Sequence, residues 1–312
     1  MNLLTTIPLY NKATTIRRAV ASVLSQTYSC DLLIVNDGST DGGEKLLNAY
    51  CNDPRVNILN QNNAGVSVAR NVAIDYAIEH QYEGIAFLDA DDYWLPDHIY
   101  HILSLASSFP HAGVLSTNYQ YLGKTGRLHD TKFSVETRIS AVLDNYFTYS
   151  YYNSPLTSSN IALRLAVNHN LRYNEQVTHG EDTDFAIKTG INQVVAFNPA
   201  VSVVIDVSTT NRSGSISPKQ RIYPDLDQYR LYQDKQIGLA KYLDLNRFAI
   251  AMEFLMADLP EEAEDYINAI NANHLSKKQV ALLKLPGTTL RRMKSVQEWL
   301  VRRGLHLRLA SR

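Results

Sequence analysis

Along the first hundred residues the apolar positions alternate between two spacings. Leu3 to Leu9 reads as a strand, and then Ile16, Ala19, Val20, Val23 and Leu24 recur at i, i+3, i+4, i+7 and i+8. That second spacing is one face of a helix, with Thr14 or Thr15 placed to cap it. Asp31 to Val35 is a second strand, followed by the turn "NDGSTDGG", whose Asp41 is placed to cap a helix reaching about Tyr50. Val56 to Leu59 is a third strand. Asn62 or Asn63 then opens a helix on which Val66, Ala69, Ala73 and Ala77 share a face, and Ile85 to Leu88 is the fourth strand. Pro96 to Phe109 reads as a helix with its proline in the first turn, and Gly113 to Leu122 as a strand. Beyond it the pattern loosens: "GEDTDFAIKTG" looks like a short capped helix and "VVAFNPAVSVVIDV" like strands, while the tyrosine-dense Tyr146 to Tyr152 suits core packing for most of its rings and stacking on a ligand as the alternative.

Strands alternating with helices predict right-handed crossovers and a mostly parallel sheet covered on both faces. In such sheets ligands sit beyond the carboxyl ends of the strands. The polar clusters "YNK", "NDGSTD" and "DADD" each follow a strand, so they are expected to gather at one edge. After about Lys219 the chain turns to helices rich in Leu, Ala, Tyr and charge. This places a boundary in "STTNRSGSISPK", with an α/β domain over 1–217 and a helical region over 218–312.

Composition narrows the function classes. The 312 residues are 45% hydrophobic and 20% charged, with 30 Lys+Arg against 31 Asp+Glu and a net charge of -1, which leaves no overall footprint for nucleic acid. Cys30 and Cys51 form neither a metal spacing nor a disulfide framework, and "MNLLTTIPLYNK" is not a signal-peptide pattern, so a cytoplasmic location is expected. No apolar run approaches the ~18 residues of a membrane span. The last segment, from Lys284, is strongly basic, with Glu298 its single acid. Residues 286–312 therefore suit an anionic membrane surface, a helix packed on the protein body, or a homodimer contact.

The acids carry the chemistry. Asp89 and Asp91, one residue apart at a strand end, repel unless compensated; a divalent ion ligated by hard oxygens would do this, while the plainer reading makes them solvated and Asp92 a helix cap. Asp37 at a strand tip is either a base-binding carboxylate or part of an ordinary turn in which Gly38 allows the reversal. Arg70 offers a fork for a phosphate or for the acids, or is a solvated charge. Glu181 and Asp182 are either caps or, for Asp182, a general base.

Taken in order, "IPLYNKATTIRRAVASVLSQTY", "LLIVNDGSTDGG", "NAGVSVARNVAI", "IAFLDADDYWLPDH" and "GEDTDF" resemble the family 2 glycosyltransferases of the α/β GT-A fold. The likeness is close over residues 1–120 and looser over 150–217. It implies a nucleotide-sugar half over 1–120 and an acceptor half over 121–217. Pro8 and Tyr10 would lie against a nucleoside base, Asp37 on its imide, and Arg70 by the diphosphate or the acids. Asp89 and Asp91 would be the DXD pair, with Asp89 toward ribose and both on Mn2+ or Mg2+; Asp182 would be the catalytic base of an inverting transfer. The partners implied are a nucleotide-sugar, with a uridine nucleotide favoured, and a saccharide or lipid-linked acceptor in bacterial polysaccharide or lipopolysaccharide synthesis, at the inner face of the plasma membrane. Two departures stand out. Asn36 replaces an acid common in the family, and Asn211 or Arg212 lies where many relatives carry a metal-binding His, so Arg212 is a candidate diphosphate ligand. The alternative is an inactive nucleotide-sugar-binding regulatory protein, which has no need of Asp89, Asp91 and Asp182 together. A nucleotidyltransferase would require a Gly-rich phosphate loop that "PLYNKATT" lacks.

Overall fold

A computed structural model describes residues 1–209 and 216–302. The chain runs β1 Leu3–Leu9, α1 Ile16–Leu24, β2 Asp31–Asp37, α2 Gly43–Leu46, β3 Val56–Gln61, α3 Val66–Glu79 and β4 Gly84–Phe87. It continues through β5 Tyr93–Trp94, α4 His98–Ser108, β6 Val114–Leu122, β7 Leu128–Asp130, β8 Ala141–Val142, α5 Tyr146–Tyr149, β9 Ile161–Arg164 and α6 Leu165–Asn168. Then come α7 Glu181–Asn192, β10 Val195–Asp206, α8 Leu239–Met256, α9 Pro260–Asn268, α10 Lys277–Leu282 and α11 Gly287–Arg302.

The sheet order is β3-β2-β1-β4-β9-β6-β10-β5. β3, β2, β1 and β4 are parallel, as the alternation predicts. The second half is mixed: β9 runs antiparallel between β4 and β6, and β10 pairs parallel with β6. The expected strands of "VVAFNPAVSVVIDV" are one strand with a register shift after Asn198, where Pro199 has no N–H to give the ladder.

Two apolar layers sandwich the sheet, and period-two alternation sorts the residues between them. Leu3, Ile7, Leu32, Ile34, Ala86 and Leu88 face α1 and α4; Leu4, Leu33, Val35, Ile85 and Phe87 face α3 and α7. Both sets are buried, so residues of both parities along these strands lie in the core, and each fully buried Leu, Ile, Val or Phe contributes about 1.5–3 kcal/mol of transfer energy. Tyr146 and Phe147 of α5 pack with Tyr242 and Leu243 of α8 in the second layer, which joins the C-terminal helices to the same core.

Several expected caps differ. Thr15 stands at the N-cap of α1 but its hydroxyl donates to the Lys12 carbonyl, and Asp41 instead accepts the Ala13 N–H at 2.8 Å while also holding Gly43 N–H. The N-cap of α3 is Gly65, not Asn62 or Asn63, because the carboxylate of Asp37 takes the N–H groups of Ala64 and Gly65. Val66 is exposed, and the buried face of α3 is made by Ala69, Ala73, Ile74 and Ala77 together with Arg70. Asp92 caps nothing: α4 begins at His98 behind Asp97, and Asp92 is buried elsewhere.

Candidate active site

The strand-end clusters do meet at one edge. A cavity of about 410 Å³ is lined by Pro8 near the end of β1 and Tyr10 just after it, Asp37 at the end of β2, Arg70 from α3, and Asp89 and Asp91 after β4. Lys12, Glu181 and Ile216 complete its wall. Tyr10 is exposed at its mouth. Arg212 lies outside the described residues, as does the basic end beyond residue 302.

Asp37 is buried at the tip of β2. Its Oδ1 accepts from Gln61 Nε2 and Ala64 N–H, both at 2.8 Å, and its Oδ2 from Gly65 N–H at 2.9 Å. Gly38 follows with φ of +70°, and a Cβ there would stand 2.9 Å from the Asn63 backbone nitrogen, so the loop before α3 closes directly over the turn. Asn36, in place of an acid, donates to Asn60 Oδ1 at 2.9 Å and accepts Ser39 N–H.

The acids after β4 are compensated by cations of the chain. Arg70 Nη2 is 2.7 Å from Asp89 Oδ1, Lys12 Nζ is 2.7 Å from Asp91 Oδ2, and Arg18 donates to the Asp91 carbonyl. These bonds use Asp89 Oδ1 and Asp91 Oδ2, so each carboxylate keeps a second oxygen for a ligand. The donor set is therefore hard and anionic, as Mn2+ or Mg2+ require. Among the described residues no group of three His, Cys, Asp or Glu is arranged to hold an ion, so the pair would need phosphate oxygens to complete a site. Asp92 instead accepts Ser159 Oγ at 2.5 Å and Asp206 N–H at 2.9 Å. Burial raises its carboxyl well above the usual range, the charges of Asp89 and Asp91 add to this, and the two donors oppose it.

At the other side of the cavity Gly180, with φ of +82°, turns the chain into α7 so that Glu181 and Asp182 are its first residues. Arg70 Nη1 reaches Asp182 Oδ1 at 3.2 Å and Glu181 Oε1 at 3.6 Å, and its guanidinium lies 4.9 Å from the centre of the Tyr173 ring. One buried cation thus ties the acid turn after β4 to the start of α7. Ser158 also donates to Asp182 Oδ1. Burial pushes Glu181 up to about 7, helped by Asp182 and opposed by Arg70. Burial likewise raises Asp182, with Arg70 and Ser158 holding it down and Asp89 pushing it up. A carboxylate kept basic in this way, beside a cation that fixes its position, is chemically a proton acceptor.

Asp182 stands in the wall of a second cavity of about 190 Å³, with Tyr119, Tyr121, Tyr152 and Thr157. The start of α7 borders both cavities, with Glu181 on the larger and Asp182 on the smaller. Sequence reasoning left out Lys12, Ser158, Ser159 and Tyr173. "YNK" did flag Lys12 as a residue following a strand, but nothing in "TSSN" distinguishes two serines from ordinary loop residues.

Residues 5–169, more than half of the chain, match the model of glycosyl transferase family 2, and the chain belongs to that family. The fold is the α/β GT-A kind. The succinoglycan biosynthesis protein ExoU of Rhizobium meliloti is 29% identical over 246 residues, covering 74% of this chain and 67% of that protein. The uncharacterized glycosyltransferase YibD of Escherichia coli is 39% identical over 102 residues, or 32% of this chain and 29% of its own length. The chondroitin synthase of Pasteurella multocida is 43% identical over 93 residues, which cover 29% of this chain and only 9% of that protein. The chain thus spans less than a third of the length of several relatives it matches. Among solved structures, S. aureus TarS 1-349 in complex with UDP-GlcNAc superposes with a TM-score of 0.62 over 99% of this chain and 93% of that one, at 18% identity. No helix among the described residues is long and apolar enough to cross a membrane.

Proposed function

We propose that the protein is a metal-dependent inverting glycosyltransferase that moves a sugar from a UDP-sugar to a hydroxyl of a saccharide or lipid-linked saccharide, in the synthesis of a surface polysaccharide or lipopolysaccharide. The observation that carries the reading is Asp182 in the wall of the smaller cavity, held by the same Arg70 that holds Asp89 in the wall of the larger. In this reading the larger chamber takes the donor. Tyr10 and Pro8 lie against the base. A carboxylate has about four acceptor positions, and Asp37 uses three internally, which leaves one for an imide N–H. That TarS was solved with UDP-GlcNAc and with UDP supports a nucleotide-sugar donor.

The acceptor oxygen attacks the anomeric carbon from the side of Asp182, which takes the proton. The bond to the nucleoside diphosphate breaks on the opposite face, and its electron pair leaves with the phosphate. Lys12 and Arg70 lie on that side and offset the developing charge. Mn2+ or Mg2+ held by Asp89 and Asp91 would supply further positive charge there. One displacement inverts the anomeric centre without a covalent sugar-enzyme intermediate.

UDP release measured over a panel of UDP-sugars with Mn2+ or Mg2+, with and without saccharide acceptors, tests this. Asp182→Asn is expected to lower kcat by about 10²–10⁴-fold while the donor still binds; transfer at the native rate would refute the assignment of the base. We further read the basic 286–312 end as a contact with anionic lipid near the acceptor. Flotation with phosphatidylglycerol vesicles should be lost on removing it, and undiminished flotation would end that reading.

A further inference from the structure

The two chambers differ in charge. Lys12 and Arg70 line the larger one, where a diphosphate would lie. The smaller is lined by tyrosines and by neutral hydroxyl and amide groups, with Asp182 its single charged residue among those described. We infer that this smaller chamber takes one uncharged sugar ring of the acceptor and excludes acceptors that carry a phosphate or carboxylate at that unit. The inference rests on the proposed transfer reaction and names its acceptor class.

Size argues for a single ring. At about 190 Å³ the chamber is smaller than the ~300–1,000 Å³ of pockets that enclose drug-sized ligands. Chemistry argues for a sugar. Tyr152 presents about half its surface at the opening, and an aromatic face suits the C–H side of a pyranose. Asn153 donates through Nδ2 to the Lys132 carbonyl and so has its own carbonyl oxygen for a hydroxyl, and Tyr119 is fixed by donating to the Ser154 carbonyl at 2.9 Å. The tyrosine-dense stretch divides accordingly: Tyr146 is buried in the core, whereas Tyr152 is open to the chamber.

Charge argues for neutrality. An anionic acceptor would meet Asp182 across a small space with no cation among the described lining residues to pair with it, and like charges there act as a discriminating repulsion. Arg70, the nearest cation behind Asp182, is buried and engaged by Asp89 and Asp182. In the reaction the acceptor O–H gives its proton to Asp182 and its oxygen bonds to the anomeric carbon as the bond to UDP breaks; a neutral ring adds no charge to that transition state.

The test measures saturation-transfer NMR and kcat/KM with methyl glycosides of neutral hexoses and N-acetylhexosamines, against methyl glucuronide and glycerol phosphate. UDP binding and acceptor-free hydrolysis of the donor are followed in parallel. Neutral glycosides should bind and react at least tenfold better than the anionic ones. Tyr152→Ala should raise the acceptor KM about tenfold while UDP affinity is unchanged, and Thr157→Lys should shift preference toward the anionic acceptors. Equal or better use of an anionic acceptor, or an acceptor KM unmoved by Tyr152→Ala, overturns the inference. If no donor is bound or cleaved, the transferase reading fails instead, and the NMR arm still decides: absence of neutral-glycoside saturation sinks the ring site.

Discussion

Arg70 sets the electrostatics of the site from a single residue. It is almost wholly buried, yet three carboxylates lie around it, Asp89 and Asp182 in direct contact and Glu181 at 3.6 Å. Burial raises the proton affinity of Glu181 and Asp182, and one cation does not neutralise three acids, so the neighbouring carboxylates add to the rise. The consequence for stability has a definite sign. Glu181 binds its proton more tightly folded than unfolded, so the folded state holds more protons between its ordinary pKa of 4.5 and about 7. Stability is therefore lost as pH rises through that window and stays lower above it. Glu181→Gln should remove this loss, raising the free energy of unfolding at pH 8 by on the order of 1–3 kcal/mol and changing little at pH 4.5. Urea or thermal denaturation at the two pH values checks it; equal shifts at both would show that Glu181 is not the titrating group.

At the level of elements, the stretch between α5 and β9 holds the two halves of the site together. Ser158 donates to Asp182 at the start of α7, and the next residue, Ser159, donates to Asp92 and accepts Asp89 N–H. Asn160 pins the stretch to the Thr117 and Pro155 carbonyls. Two adjacent serines thus reach opposite sides of the same cleft because β9 lies between β4 and β6 in the sheet. Ser159→Ala leaves the buried Asp92 carboxylate short of a donor and should cost about 1–3 kcal/mol, with a higher KM for the donor as the acid turn loosens. Calorimetry and donor titration measure the two effects, and a loss of stability with unchanged donor KM would confine Ser159 to a structural role.

Across the whole molecule, the C-terminal helices bear on the site through the segment after residue 215. Ile222 exchanges hydrogen bonds with Thr178, just before Gly180 and α7, and Arg221 and Tyr223 both donate to Glu253 of α8. His179 lies 3.5 Å from the same carboxylate. Glu253→Ala should take the carboxylate away from a nearly buried Arg221 and cost about 1–3 kcal/mol, with faster proteolysis near 216–224. Limited digestion beside a melting curve tests this; an unaltered cleavage rate would mean that other contacts hold the segment.

The sequence by itself determined what depends on near neighbours along the chain. Period-two and period-3.6 spacing define β1 through β4 and their helices, because each strand must bury both faces and each helix one. From that alternation follows the meeting of Pro8, Tyr10, Asp37, Asp89 and Asp91 at one edge, since strand ends in a parallel sheet share a side. What only the tertiary structure decided depends on contacts between residues far apart in sequence. A buried arginine and a solvated one look alike in "VARN", and an acid that caps a helix looks like one that receives Ser159 from the far half of the chain. The mixed order of the second half, the sorting of tyrosines into core and chamber, and the cations that offset "DADD" all arise from packing across the sheet, where local spacing carries no information.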